Sequence, residues 1–399
     1  MLPFYILSAV IFLTFLASGT TMPFLALYAE SLGASLVHIA WIVGGFSTVN
    51  LVANLLWGRV SDRVGRRKPF VVTAMAVLAC TNLLISEAPV WWVILPLRLI
   101  EGAAFGAYSV ASLAMMGDLL EGHPRRARLI GIYRMSGSLA FSIAIVIAGL
   151  VAQQYGFQTT YKVAAGIYLT AFIISLGLFE PRAVAHPSSI SDGKTSFAAL
   201  LRGPMLPLLV VAASFNVPFS AVYSVWPLWV SESLGLGRAT FAQLWGLAAF
   251  IEVPAMALAG YVTDRFGRRP TFSAGLTLFA SVYVLYVLAP TLPGLVTAQV
   301  IRGFAFAAFT ATALTMAIEV SPPEARGRAA GLFHMAQSLS AITGSYVGGP
   351  IAQGFGFQTL FASAATVLLL GTTYVQVAVK RAGEGERTAE GAKTAAPRP

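Results

Sequence analysis

The stretch GRVSDRVGRRKP, residues 58–69, recurs almost unchanged as GYVTDRFGRRP, residues 260–270. The two copies start 202 residues apart, about half of this 399-residue chain, and each lies between two long apolar stretches. A strongly basic loop that is duplicated between hydrophobic segments indicates a membrane protein built by internal duplication. That architecture is typical of transporters.

The composition agrees with a membrane location. Hydrophobic residues make up 57% of the chain and charged residues 11%, and the mean hydropathy is +0.76. A soluble protein of this length needs more charge to cover its surface. The apolar runs are continuous rather than alternating, so we predict helices rather than barrel strands. Twelve spans are predicted, at residues 4–29, 38–58, 69–86, 90–118, 128–152, 160–180, 204–231, 240–262, 271–290, 292–319, 327–352 and 358–380.

The lysines and arginines are distributed unevenly between the two sides of the predicted membrane. Of the 26, 21 fall in the loops and tail on one side, Lys162 and Arg238 fall on the other, and the remaining three lie within spans. By the positive-inside rule, this asymmetry predicts that both termini are cytoplasmic. It also explains the net charge of +10 without nucleic acid, and no nucleic-acid partner is expected.

The two halves of the chain align with small gaps. Residues 30–33, ESLG, match residues 232–235, and residues 156–159, GFQT, match residues 356–359. Equal, even numbers of helices in each half make the repeats parallel. We therefore predict an N-terminal bundle at 1–180, a cytoplasmic linker at 181–203, a C-terminal bundle at 204–380 and a disordered cytoplasmic tail at 381–399.

Twelve helices, a parallel repeat of six and the motif G-x-x-x-D-R-x-G-R-R after spans 2 and 8 resemble the major facilitator superfamily over nearly the whole chain. The resemblance implies an all-α membrane fold whose two bundles rock about a central site by alternating access. Spans 1, 4, 7 and 10 would line the cavity. The pattern is most similar to the bacterial drug and sugar efflux branches, although span 5 lacks the G-x-x-x-G-P-x-x-G-G element that drug antiporters usually carry.

In that family the repeated loop latches the cytoplasmic side in one conformation; the simpler interpretation is that its arginines only fix topology. The first glycine of each copy is expected to allow close helix approach, and the carboxylates to pair with the basic cluster. Asp118 and Glu319, at the ends of spans 4 and 10, could join that network. The candidate gate residues are Gly58, Asp62, Arg63, Gly65, Arg66, Arg67, Asp118, Gly260, Asp264, Arg265, Gly267 and Arg268.

Charges inside the membrane need a reason, because a buried ion costs at least roughly 2.5–3.5 kcal/mol. Arg98 and Glu101 are three residues apart in span 4 and so share one helix face. The sequence RLIEG resembles the family's R-x-x-Q-G motif, in which the arginine is tied to proton coupling. Either Glu101 cycles a proton during transport, or the two residues form a permanent structural pair.

Four further side chains are candidates for proton coupling. Glu252 in span 8 corresponds to Asn50 in span 2 at an offset of 202; it could carry a proton, bind a cationic group of the substrate, or hydrogen-bond while neutral. Arg302 is matched with Arg98 at an offset of 204. Arg134 is matched with His334 at an offset of 200, and the histidine titrates near neutral pH or serves as a buried structural group.

The substrate cavity is expected to mix aromatic and neutral polar groups, which suits an amphipathic or sugar-like solute. Its candidate residues are Thr21, Tyr28, Asn50, Asn216, Tyr223 and Trp226. The chain carries no nucleotide-binding loop and no intramembrane protease motif, so we expect neither ATP-driven transport nor an enzyme.

We expect a secondary transporter of a bacterial or archaeal cytoplasmic membrane, monomeric and without cofactor or metal, whose partners are a small-molecule substrate, protons and the lipid bilayer. Proton-coupled efflux is the first interpretation. Proton-coupled import and uniport are the alternatives of the same class, and a non-transporting sensor or scaffold of this fold is the alternative of another.

The topology can be tested with a C-terminal reporter that is active only in the periplasm. Because 21 of the basic residues lie on the side of the termini, the reporter should give no signal. A cytoplasmic reporter at the same position is the control and should be active. A strong periplasmic signal would overturn the topology.

Overall fold

The structure is a computed structural model that describes residues 2–179, 205–319 and 326–394. Those ranges are almost entirely helical, and they contain no strand. The helices are α1 (Leu2–Thr21), α2 (Leu25–Ser31), α3 (Leu36–Val64), α4 (Lys68–Ser86), α5 (Trp91–Leu119), α6 (Arg126–Leu176), α7 (Met205–Leu228), α8 (Arg238–Phe266), α9 (Arg268–Leu288), α10 (Leu292–Glu319), α11 (Arg326–Phe355) and α12 (Phe357–Thr394).

The first predicted span is broken where a proline interrupts it. α1 ends at Thr21, a 3₁₀ turn covers Met22–Phe24, and α2 then begins at Leu25. Pro23 has no N–H to donate to the carbonyl one turn earlier, so regular α-helical bonding cannot pass through it. In the corresponding span of the second half, α7 ends at Leu228 and is followed by a π-helical turn at Trp229–Ser233.

A repeated glycine turns the chain at two places. Gly156 lies inside α6 with φ 82° and ψ 173°, and Gly356, between α11 and α12, has φ 85°. Both belong to the repeated GFQT sequence. Glycine adopts positive φ without steric cost, so each copy turns the chain at the same place. Gly156 therefore separates the segments predicted as spans 5 and 6, although helical residues adjoin it on both sides.

Ten helices among the described residues are long and apolar enough to cross a membrane, where the sequence predicts twelve. Two of the predicted spans are counted together, because Arg128–Leu176 is one candidate. The predicted span 11 is a helix, α11, but it is not among the ten. Its glycine, serine and glutamine residues lower its hydropathy.

The predicted linker at 181–203 lies outside the described residues. The tail does not follow its prediction as disordered, because α12 continues to Thr394 and only residues 395–399 lie beyond the described chain. The segment after Lys380 contains alanine, glutamate, lysine and arginine, all strong helix formers, and this propensity accounts for the difference.

The chain divides into two compact units. The first unit consists of Met1–Ile190, Tyr223–Leu247 and Ser345–Phe357, and the second of Ser191–Val222, Ala248–Gly344 and Gln358–Pro399. This division differs from the predicted boundaries at 1–180 and 204–380. The reason is that one end of α7, α8 and α11 packs with helices of the first half.

Within the first unit, α1 packs on α6, and α5 packs on both α3 and α4. Two glycines on one face of α5 bring its backbone against α3. A Cβ added at Gly102 would lie 2.7 Å from the carbonyl oxygen of Phe46, and one added at Gly106 would lie 2.8 Å from Ala53 Cβ. This close crossing fixes the turn of α5 that immediately precedes it, which carries Arg98 and Glu101.

Candidate functional site

Arg98 and Glu101 form a buried ion pair on α5. The side chains are 8% and 3% exposed, and Arg98 Nη1 lies 2.5 Å from Glu101 Oε2. Asn82 Nδ2 on α4 donates to the other carboxylate oxygen at 2.5 Å, and Thr81 Oγ1 approaches the same oxygen at 3.4 Å. The expectation that both charges share a helix face is therefore met by direct contact.

Arg98 also has an aromatic contact. Its guanidinium carbon lies 4.1 Å from the centroid of the Phe46 ring on α3, which is a cation–π arrangement. The Nε atom of Arg98 is buried and has no hydrogen-bond partner among the residues that the structure describes. The pair is thus well satisfied on the Glu101 side and incompletely satisfied on the Arg98 side.

A cavity opens beside this pair, entirely within the first unit. Four phenylalanine rings line it, together with Ser18 and Tyr168, whose hydroxyls lie 2.9 Å apart. The lining residues are Phe15, Ser18, Thr21, Met22, Phe46, Leu78, Arg98, Glu101, Phe105, Phe141 and Tyr168. The surface is mostly apolar and aromatic, with one ion pair and a few hydroxyls, which is the usual composition of a small-molecule site.

Of the predicted cavity residues, Thr21 lines this cavity. Sequence reasoning missed most of the others, although their spacing was visible. Phe15 and Ser18 are three residues apart on α1, and Met22 follows four residues later at the start of the 3₁₀ turn. Phe105 lies one turn beyond Glu101 on the same face of α5. Following that face along the helix would have found Phe105.

The other predicted cavity residues have structural contacts. The Tyr28 hydroxyl donates to the Ile85 carbonyl at 3.0 Å. Asn50 Nδ2 donates to the Gly102 carbonyl at 3.2 Å, and Asn216 Nδ2 donates to the carbonyl one turn earlier, at 2.8 Å. Tyr223 and Trp226 are buried in an aromatic cluster with Phe24, Phe241 and Trp245.

The second half carries its charges in a different register from the predicted one. Gly102 packs against Phe46 on α3, and Gly303 packs in the same way against Ala248 on α8. These glycines are 201 residues apart, so Arg302 occupies the position of Glu101, not of Arg98. The predicted match of Arg302 with Arg98 at an offset of 204 is wrong, because the glycine crossing aligns the helices.

At the position of Arg98 the second half has Gln299, whose Nε2 donates to the Tyr286 hydroxyl at 2.8 Å. Arg302 is buried on α10, and Glu252, half-buried on α8, interacts with it electrostatically. Among the described residues, the first unit thus has a buried ion pair within α5, and the second has an electrostatic interaction between α8 and α10.

His334 and Arg134 are both exposed, so neither is a buried group that needs a fixed partner. His334 lies next to Phe333, with ring centroids 6.3 Å apart. The prediction of a buried histidine is wrong, because the face of α11 that carries His334 is not covered by other described residues.

Two ion pairs connect the repeated loops to helix ends. Arg67 Nε lies 2.8 Å from Asp118 Oδ2, and Arg268 pairs with Glu319. The expected pairing of the helix-end carboxylates with loop arginines is thus present in both units. Because these side chains are partly exposed, each pair contributes about 0–1 kcal/mol to folding stability.

The remaining candidate gate residues are mostly exposed. Arg63, Arg66, Asp264 and Arg265 are exposed, and the side chain of Asp62 lies outside the described part of the chain. Gly65 and Gly267 have φ values of 64° and 89° and turn the chain between helices.

The close approach expected at the first glycine of each loop copy is only partly met. A Cβ at Gly58 would lie 3.6 Å from Val110 Cγ1, an ordinary contact. At Gly260 a Cβ would meet no described atom within 4 Å, so the described part of the chain does not show the expected close approach there.

Comparison with known proteins defines the class. The Major Facilitator Superfamily model matches residues 7–259 and 208–398. The chain therefore belongs to the major facilitator superfamily: it is a multi-pass membrane transporter of small molecules and not an enzyme.

Two relatives illustrate the similarity. Multidrug resistance protein MdtG of Serratia proteamaculans (strain 568) is 25% identical over 380 residues, which are 91% of this chain and 90% of the relative. Sugar efflux transporter A of Escherichia coli (strain K12) is 25% identical over 322 residues, which are 79% and 81% of the two chains.

Two solved structures share the fold. The nucleoside transporter NupG has a TM-score of 0.76 at 15% identity and covers 95% of this chain and 100% of its own. A bacterial homolog of the human lysosomal transporter Spinster, in an inward-facing and occupied conformation, has a TM-score of 0.80 at 14% identity. The match covers 94% of this chain and 96% of that homolog.

The energetics of the Arg98–Glu101 pair can be tested by unfolding. Arg98→Met should lower the free energy of unfolding by about 3–5 kcal/mol, because it leaves Glu101 buried without its counter-ion. The double variant Arg98→Met, Glu101→Met should recover most of that loss. Thermal unfolding of the purified protein in detergent measures both.

The pair Glu87–Lys162 is the matched exposed control. Its atoms lie 2.8 Å apart, and the hydrogen bond and charge of Lys162 lower the pKa of Glu87 below its ordinary value. The side chains are 62% and 50% exposed, so Lys162→Met should change the unfolding temperature little. Equal effects of Arg98→Met and Lys162→Met would contradict the buried-pair interpretation.

Proposed function

We propose that this transporter exports a small organic solute from the cytoplasm by alternating access, in exchange for protons. The observation that carries the proposal is the Arg98–Glu101 pair at the wall of the aromatic cavity, where a titratable group and a small-molecule site coincide. The relatives named for multidrug resistance and sugar efflux support the direction of transport.

Glu101 is the proposed proton carrier. Its carboxylate faces Arg98 on one oxygen and Asn82 on the other, so the deprotonated form is fully hydrogen-bonded. A proton on Glu101 removes the ion pair and leaves the site with the positive charge of Arg98. That charge still has the Phe46 ring beside it, which limits the cost of the protonated state. A change of charge at the cavity wall is what couples a proton to solute binding.

The cavity favours an amphipathic, drug-like solute over a sugar. The rings of Phe15, Phe46, Phe105 and Phe141 offer apolar faces to a hydrophobic body. Hydroxyl groups are few there, with Ser18 and Tyr168 already hydrogen-bonded to each other. A sugar would need several more polar partners than this lining supplies.

We infer twelve membrane spans from the ten apolar helices, by dividing α6 at Gly156 and adding α11. With the basic loops inside, both termini are cytoplasmic, in a bacterial or archaeal cytoplasmic membrane. The protein is proposed to act as a monomer.

The loop ion pairs are proposed to hold the cytoplasmic side in one state of the cycle. Arg67–Asp118 and Arg268–Glu319 each connect a loop to the end of a neighbouring helix in the same unit. Because each pair contributes little to stability, it suits a contact that must break at each turnover. Asp62 and Asp264 are proposed to belong to the same networks.

Coupling can be measured in proteoliposomes with a pH gradient, with ethidium as the drug-like probe and lactose as the sugar probe. Glu101→Gln should still bind the transported probe, but gradient-driven accumulation should fall to the level of protein-free vesicles. Exchange of probe without a gradient should persist, because the neutral side chain keeps one charge state in both orientations. Wild-type accumulation of ethidium but not lactose is expected.

Glu252→Gln is the internal control, since Glu252 is the carboxylate that interacts with Arg302 in the other unit. It should retain gradient-driven transport. Loss of coupling in Glu252→Gln alone would place the proton site on α8. Full coupling in both variants would exclude proton exchange through either group and favour uniport. Absence of all solute movement in the wild type would favour a sensor or scaffold.

A further inference from the structure

The first unit contains the same polar contact twice, at the end of the helices opposite the repeated basic loops; this end is called the far end. Gln153 Oε1 on α6 accepts a hydrogen bond from the backbone N–H of Ala239, the second residue of α8, at 3.2 Å. Gln353 Oε1 on α11 accepts one from the N–H of Val37, the second residue of α3, at 3.2 Å. The glutamines are 200 residues apart and their donors 202, which are the offsets of the sequence repeat.

Each glutamine therefore caps a helix to which it does not belong. The first four N–H groups of a helix have no acceptor within it, and the second N–H is one of them. In α3 the hydroxyl of the N-cap residue Ser35 accepts a hydrogen bond from the His38 N–H, and the Val37 N–H donates to Gln353 instead. All four groups of the two caps lie where water can replace the lost bond, so the contacts can open reversibly at small cost.

Glycines one turn before the glutamines make these contacts possible. A Cβ added at Gly149 would overlap Ala242 of α8, and one added at Gly349 would overlap the Leu36 carbonyl of α3. A further turn along, Gly246 and Gly44 repeat the arrangement, since added Cβ atoms would lie 2.7 Å from Val146 and 2.8 Å from Tyr346. Two seams of the same design thus join α6 to α8 and α11 to α3.

In the α6–α8 seam, an arginine makes a further contact. Arg238 Nη1, at the start of α8, donates to the Ala152 carbonyl at 3.0 Å, and its guanidinium carbon lies 3.9 Å from the Phe157 ring centroid. The corresponding position in α3 is an uncharged residue, Leu36. The α3–α11 seam has a hydroxyl contact instead, with Thr48 Oγ1 and the Tyr346 hydroxyl 3.4 Å apart.

We propose that Gln153 and Gln353 are positioning residues of the transport cycle: they hold the far end closed in one state and release it in the other. The two seams join helices of the first sequence half to helices of the second, so parting them opens the bundle at that end. The proposal rests on the alternating access put forward above, with the far end facing outward. It does not depend on which group carries the proton or on the identity of the solute.

The test measures how often the cavity opens to the outside. In a Cys80→Ser background, Met22→Cys places a thiol on the cavity wall, and a membrane-impermeant maleimide is added to intact cells. Gln153→Met and Gln353→Met keep the side-chain length but remove the acceptor, so each should raise the labelling rate about threefold. The double variant should raise it about tenfold, since the two contacts share no residue.

Glutamate variants distinguish the effect of the hydrogen bond from the effect of side-chain packing. Gln153→Glu and Gln353→Glu keep an acceptor and add a negative charge at a helix N-terminus, which is favourable, so labelling should stay within about twofold of the parent. Gly149→Ala and Gly349→Ala should raise labelling by wedging the seams open. Gly354→Ala is their control, because a Cβ there would meet no atom of the described residues within 4 Å.

Hydrogen exchange of the purified full-length variants secures the interpretation. Faster exchange confined to residues 34–40 and 236–242 in the methionine variants is expected, whereas exchange that rises throughout the protein would mean general unfolding and would overturn the proposal. Unchanged labelling in the double methionine variant, or equal labelling in the glutamate and methionine variants, would also overturn it. Failure of proton coupling in the Glu101 experiment would leave these results unaffected, so the two proposals fail separately.

Discussion

The cost of placing charge in a low-dielectric interior is the constraint on which the site depends. An ionised carboxylate and guanidinium inside a helix bundle are tolerated only if their attraction and hydrogen bonds repay lost hydration. Arg98 and Glu101 meet that condition with each other, with Asn82 and with the Phe46 ring. The glycine crossing of α5 on α3 holds this geometry, because backbones in contact leave the helix little freedom to rotate. The aromatic cavity lies beside the pair for a related reason: Phe105 follows Glu101 on α5, and Phe46 on α3 packs against both Arg98 and the crossing glycine.

Duplication explains the plan of the molecule, and departures from it mark the two halves as chemically different. The crossing glycines Gly102 and Gly303 keep the same packing, but the residue before each is Glu101 in one half and Arg302 in the other. In the second half, the carboxylate that interacts electrostatically with Arg302 is on another helix, at Glu252. A pair within one helix moves as a body, whereas a pair between two helices changes length when they shift. The two carboxylates therefore differ in how they are held, which makes Glu252 the informative control for Glu101.

The helical class, the repeat and the charge asymmetry follow from composition and period, so the sequence predicts the family and the general fold. It also predicts the Arg98–Glu101 contact, because three residues of helix determine which face both share. It does not predict the register of Arg302, since nothing local indicates that the glycine crossing, and not the arginine, aligns the helices. Tyr28 and Trp226 resemble cavity residues by type, and only packing shows that their rings are buried in structural clusters. The glutamine caps were invisible for a similar reason: their partners are backbone amides on distant helices.

The two ends of the first unit are held by contacts of similar, modest strength but different kind. At the loop end Arg67 and Asp118 form a partly exposed ion pair, worth about 0–1 kcal/mol and weakened by salt. At the far end Gln153 and Gln353 make neutral hydrogen bonds worth about 0.5–1.5 kcal/mol each, beside glycine contacts that salt does not screen. A transporter that cycles needs both ends to open at thermal energies, so neither can be held by a strong buried pair. The strong pair is instead at Arg98 and Glu101, where the proposed coupling of a proton to a bound solute would act.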